Sequence, residues 1–178
     1  HNLFEAQAVE LTAQAGTMVG VDREERLATR WQRSLMFRHP WLQLNLLTAF
    51  VAAGVVGIFE GTLEKIVLLA IFLPVLAGQS GNTGCQALAV TLRGMTLGEL
   101  KPGGTSAAVA KEAILGLANG ALVGVSAGLG MFFYAWMQGN PQALMLAVVT
   151  WLAMVIACVV SGISGVLVPT TLQRFGAD

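Results

Sequence analysis

Residues 66–92 read IVLLAIFLPVLAGQSGNTGCQALAVTL. The run has no charged side chain and is long enough for a helix to cross a hydrocarbon core of about 30 Å. Its middle, however, is not plain hydrocarbon. Pro74 removes a backbone donor and frees a carbonyl one turn earlier. Behind it Gly78, Gln79, Ser80, Gly81, Asn82, Thr83, Gly84 and Gln86 crowd together. Polar groups at that depth are costly unless they face protein or a water-filled cavity. The stretch predicts a spanning helix, interrupted at Pro74 and the glycine string, with a face that does not suit lipid.

The rest of the chain agrees with a membrane setting. Of 178 residues, 55% are hydrophobic and 11% charged, and the mean hydropathy is +0.69. A soluble domain carries about 25% charged residues. Ten basic and ten acidic side chains are too few to coat a soluble globule of this size. That composition excludes a disordered chain, a disulfide-stapled secreted scaffold and most soluble enzymes. Three further charge-free runs complete the pattern, at residues 41–59, 113–137 and 143–168. At about 1.5 Å per residue the run 41–59 reaches about 28 Å. Pro40 suits the first turn of its helix, and Trp31 and Trp41 suit an interfacial belt. Gln138-Gly139-Asn140-Pro141 is a tight turn between the last two spans, and Pro169 is expected to stop the fourth. The fold class is all-α, a polytopic transmembrane helix bundle.

Basic residues set the expected orientation. Arg23, Arg26, Arg30, Arg33 and Arg38 precede the first span, Arg93, Lys101 and Lys111 lie between the second and third, and Arg174 follows the fourth. Only Lys65 falls on the other side. The bias assigns the first group to the cytoplasm and makes both ends cytoplasmic. Residues 1–38 form a cytoplasmic helix and linker, and 39–178 the membrane domain. The first thirty residues are polar and acidic, so no signal peptide is expected there. Because the chain opens with His1 and stops at Asp178 behind a helix, it reads as a fragment at both ends.

Three motifs have competing readings. Gly116, Gly120, Gly124 and Gly128 recur every fourth residue and make a smooth ridge for helix packing. Ser161-Gly162-Ile163-Ser164-Gly165 reads as a second close contact. Gly162-Ile163-Ser164-Gly165 and Gly78-Gln79-Ser80-Gly81 also spell the G-x-S-G of intramembrane serine proteases. A nucleophilic serine needs a base within hydrogen-bond reach, and no span holds His, Lys, Asp or Glu. Cys85 and Cys158 read as buried small hydrophobes rather than a disulfide or a zinc site. The string 78–86 is different in kind. Exposed carbonyls and the Asn82 amide make an oxygen-rich lining without fixed charge, suited to a hydrated hard cation; interhelical hydrogen bonding is the alternative.

Three segments then carry a resemblance. They are Pro40-Trp41-Leu42 with Asn45-Leu46-Leu47-Thr48, and Phe59-Glu60-Gly61-Thr62-Leu63-Glu64. The most specific is Phe72-Leu73-Pro74-Val75-Leu76-Ala77-Gly78 with Gly81-Asn82-Thr83-Gly84-Cys85-Gln86 and Leu92-Arg93-Gly94. Colinearly from Arg38 to Asp178, the chain resembles the MgtE family of magnesium transporters and channels. The resemblance implies a homodimer with five transmembrane helices per subunit and an ion path near the dimer interface. It implies that the second and fifth helices line that path, with an aspartate on the fifth holding hydrated magnesium. Carried over by position, Gly81, Asn82 and Gly84 stand beside the pore and Pro74 shapes the helix. The carboxylate ligand is expected beyond Asp178, itself a turn residue. Regulatory acidic and CBS domains, joined through a connecting helix, are also implied; only residues from about Asn2 to Thr29 could represent that helix. Gln79-Ser80 stands where the family commonly has Gly or another small residue.

The expectation is therefore movement of divalent cations, Mg²⁺ first, across the bacterial inner membrane. Mg²⁺ is cargo, with no organic cofactor, no enzymatic step and no nucleic-acid partner; the partners are the lipid bilayer and a second copy. The alternative is a non-transporting membrane assembly or interaction subunit whose glycine faces only pack.

Overall fold

A computed structural model describes residues 20–22, 24–100 and 104–174. The expected helix over residues 3–19, the basic residues Arg23 and Lys101, and Asp178 lie outside the described residues. The helices are α1 (Trp31–Ile58), α2 (Glu60–Lys65), α3 (Val67–Thr96), α4 (Thr105–Met137) and α5 (Ala143–Arg174). Of these, α1, α3, α4 and α5 are long and apolar enough to cross a membrane, and no strand occurs among the described residues. The chain divides into two compact units, His1–Gly61 and Thr62–Asp178.

In the first unit, α1 starts ten residues ahead of the expected span, so Pro40 lies inside the helix rather than in its first turn. Charge does not break a helix; it only has to remain wet. Two ion pairs tie the preceding segment to the early turns. Arg33 Nη2 donates to Glu24 Oε2 at 3.1 Å, and Arg38 Nε donates to Glu25 Oε1 at 2.8 Å. Hydrogen bonding from Arg38 holds the Glu25 carboxyl below its ordinary value. Turns within this segment use Asp22 Oδ1, which accepts the Glu24 N–H, and Thr29 Oγ1, which accepts the Arg26 N–H.

In the second unit α3, α4 and α5 form a three-helix bundle. α4 and α5 run antiparallel, while the pairings of α3 with α5 advance in the same direction along both helices. Two hairpin-side helix ends are closed alike. Gly98 and Gly139 take φ of +67°, where an added Cβ is strained. The Gly98 and Glu99 amides donate to the Met95 and Gly94 carbonyls, and those of Gly139 and Asn140 donate to Trp136 and Ala135. Both ends are Schellman caps, and the second is the turn expected at 138–141.

Two expected breaks are absent. α3 is continuous through Pro74 and the glycine string, and α5 runs through Pro169 to Arg174. A proline inside a helix loses one backbone bond, but neighbouring helices and hydroxyl side chains re-satisfy the freed groups in membrane proteins. Pro169 leaves the Gly165 carbonyl without its helical donor; the neighbouring hydroxyls bond the next carbonyls instead, Thr170 Oγ1 donating to Val166 at 2.8 Å and Thr171 Oγ1 to Leu167 at 2.7 Å. α4 also starts eight residues before its apolar run, taking Lys111 and Glu112 into the helix.

The bundle core has two apolar clusters. Leu68, Met131, Ala135, Ala143 and Leu146 form one, and Ala127, Met154 and Cys158 the other. The glycine ridge lies beside them. A Cβ at Gly116 would sit 2.8 Å from Val159 Cα, at Gly120 2.9 Å from Val155 Cα, and at Gly128 3.0 Å from the Ala147 carbonyl. Backbone meets backbone along this seam, as the four-residue spacing predicted. Trp151 Nε1 reinforces it by donating to the Ala121 carbonyl at 3.1 Å.

Candidate functional site

Helical periodicity sorts the polar string of α3 onto two sides. Thr83, Gly84, Ala87 and Thr91 turn toward the bundle, and Ala87 and Thr91 are fully buried. Ile71, Val75, Gly78, Asn82, Cys85 and Ala89 are exposed, with Pro74, Gly81 and Gln86 at the margins. Cβ atoms added at Gly78 or Gly81 would meet nothing within 4 Å. Glycine, proline and amide groups thus make up much of an uncovered face on a membrane-length helix. Such a face needs protein or water against it.

Gly84 is not part of that face. A Cβ there would lie 2.5 Å from Ser161 Oγ, so the absence of a side chain at Gly84 admits the close approach of α5. Gly81 and Asn82 remain together on the open side. Two positions on a helix differ by about 200° of rotation, so Asn82 and Gly84 face nearly opposite ways. Cys158 is buried as expected, whereas Cys85 is exposed because its position falls on the open side.

The covered side is held by polar contacts that composition did not specify. Ser161 Oγ donates to the Ser80 carbonyl at 2.5 Å. Thr83 Oγ1 lies 3.1 Å from the Gln79 carbonyl and 3.6 Å from Cys158 Sγ. A Cβ at Gly165 would lie 2.8 Å from the Gly84 carbonyl and 2.7 Å from Ala87 Cβ, and one at Gly162 3.0 Å from the Glu112 carbonyl. The 161–165 motif therefore packs on both neighbours, as a close-contact motif should. The density of Ser, Thr and Gly on both α3 and α5 was the available signal for these bonds. Asn119, an exposed amide in the middle of α4, was passed over because the glycine ridge dominates that helix.

What this arrangement can do chemically is limited. Among the described residues no group of three or more His, Cys, Asp or Glu side chains could hold a metal ion. An apolar groove of about 280 Å³ between α4 and α5, walled in part by Phe132, Leu144 and Trp151, offers no charge to a cation. Neutral oxygens on the α3 face suit an ion that keeps its water shell, since magnesium dehydrates reluctantly.

Residues 73–178 match the family model MgtE, described as a divalent cation transporter. The chain belongs to the MgtE family. Its matched segment begins one residue before Pro74 and contains the whole polar string. Among its relatives is the magnesium transporter MgtE of Enterococcus faecalis, 27% identical over 161 residues, which cover 90% of this chain and 34% of the relative. The Bacillus subtilis magnesium transporter MgtE is 29% identical over 79% of this chain and 30% of its own length. That of Thermus thermophilus is 28% identical over 78% and 29%. The chain thus spans about a third of the length of the curated relatives it matches. MgtE proteins are transporters rather than enzymes, which removes the protease reading of the G-x-S-G motifs.

Proposed function

We propose that this chain is the part of a divalent-cation transporter that carries the ion across the bacterial inner membrane, with Mg²⁺ as the principal cargo. The observation that supports this most directly is the open side of α3, where Gly78, Gly81 and Asn82 stand uncovered. Gly81 and Asn82 border the path. Gly84 contributes by letting α5 approach behind it. A second copy covers the open face, so the working unit is a homodimer with the path near its interface. The carboxylate that holds the hydrated ion lies beyond Asp178. Residues 1–38 act as a cytoplasmic helix and linker, and 39–178 as the membrane domain, with both ends of the chain in the cytoplasm. The position of Arg93, Lys111 and Arg174 at one end of the three-helix bundle supports that orientation. No organic cofactor is needed, because the ion moves down its electrochemical gradient.

The test is divalent flux into liposomes by the full-length protein, with Mg²⁺, Mn²⁺ and Ca²⁺ measured separately. Flux of Mg²⁺ that saturates and is reduced in Asn82→Leu is the expected result. No flux of any of the three by a folded dimer would overturn the reading and favour an assembly subunit.

A further inference from the structure

We propose that Ser161 is a positioning residue for ion selectivity: its hydroxyl, bonded to the Ser80 carbonyl, fixes the open face of α3 from behind. The inference rests on the proposed ion path and adds to it a residue that never touches the ion. Gly78, Gly81 and Gly84 fall within two turns of α3. Glycine weakens a helix interior by about 1 kcal/mol each relative to alanine, so this segment has little stiffness of its own. Asn82, which projects from it, has no hydrogen-bond partner for its amide among the described residues. Its geometry is therefore inherited from the backbone.

That backbone has an external anchor. The Ser80 carbonyl sits at the centre of the glycine triplet and has a second lone pair beyond its helical bond. Ser161 Oγ donates to it from α5 across 2.5 Å. The donor is itself rigidly placed. Next to it Gly162 packs on the Glu112 carbonyl of α4, and one turn on Gly165 packs on α3 at Gly84 and Ala87. A shift of α3 along or around its axis would strain the Ser161 bond and disturb the close approach of α5 at Gly165 to Gly84 and Ala87. Thr83, whose hydroxyl lies 3.6 Å from Cys158 Sγ, is a weaker second tie. Selectivity among divalent ions depends on where neutral oxygens sit around a hydrated ion, so loosening this anchor blurs discrimination before it stops passage.

The experiment measures the ratio of Mg²⁺ to Ca²⁺ flux in liposomes containing full-length wild type, Ser161→Ala or Ser161→Thr, with the amount of folded protein quantified in each. A ratio is insensitive to how much protein folds, which separates positioning from stability. We expect Ser161→Ala to transport Mg²⁺ with a ratio lowered about 3- to 10-fold, the range one hydrogen bond commands. Ser161→Thr, which keeps the hydroxyl, returns the ratio to within about twofold of wild type by the same argument. An unchanged ratio in Ser161→Ala overturns the inference while leaving the ion path standing. A Ser161→Ala protein that fails to fold also overturns it, because the hydroxyl then serves assembly. Absence of divalent flux in wild type overturns the ion path, and this inference with it.

Discussion

Two sets of glycines in one bundle live under opposite conditions. Along α4, Gly116, Gly120, Gly124 and Gly128 are buried, and an added Cβ at each would lie within 3.0 Å of an α5 atom. On α3, Gly78 and Gly81 meet nothing within 4 Å. The first set is glycine because nothing larger fits; for the second, space imposes no such limit. Their sequence settings differ accordingly. The α4 glycines recur every fourth residue in a mostly aliphatic stretch, while Gly78, Gly81 and Gly84 of α3 recur every third residue among Gln79, Ser80, Asn82 and Thr83. A four-residue interval keeps the α4 glycines on one helix face, where they make a packed seam. A three-residue interval turns the α3 glycines progressively around the helix, so that Gly78 and Gly81 are open and Gly84 meets α5.

The most drastic way to break this contrast is Gly120→Leu. Its side chain must displace Val155 and Cys158 of α5, and we expect no correctly assembled protein by size-exclusion chromatography. A normal elution profile would remove the packing role from the ridge. Next in size is Asn82→Leu, expected to lower Mg²⁺ flux about tenfold or more, the effect of losing a hydrogen bond to a charged group. Its thermal stability should stay at the wild-type level. Paired alanine substitutions sharpen the comparison further. Gly120→Ala should cost about 1–3 kcal/mol through overpacking, whereas Gly81→Ala should be neutral or stabilising by up to about 1 kcal/mol. Denaturation in detergent reads both, and equal losses would contradict the open face. Smallest is Thr83→Val at the seam between α3 and α5. Removal of one interhelical hydroxyl is worth about 0.6 kcal/mol in membrane proteins, so the same assay should show a slight destabilisation.

Much of the fold was legible from the residues. Four charge-free runs gave four long helices, and the ridge from Gly116 to Gly128 announced a close helix contact. Helix ends were less legible. Arg33, Arg38 and His39 mark where lipid stops, but α1 continues past them because a charged side chain can stay wet on a helix. Pro169 was read as a stop because a proline removes a backbone donor, yet α5 runs on to Arg174, since the loss of one backbone bond need not end a membrane helix packed among neighbours. For the candidate site, Gly81 and Asn82 were placed together by their neighbours in sequence. Gly84 was grouped with them although the helical period alone turns it away. The bonds of Ser161 and Thr83 depend on which helix lies opposite, and no single-chain pattern encodes that pairing.

One detail of α3 has a practical bearing. The chain has two thiols, Cys85 on the open face and Cys158 buried behind Thr83. Of these two, Cys85 is the one open to a polar thiol reagent that reaches this face. Within these 178 residues, Cys85 is thus the thiol, one turn from Asn82, at which a spin label or fluorophore can report on that face.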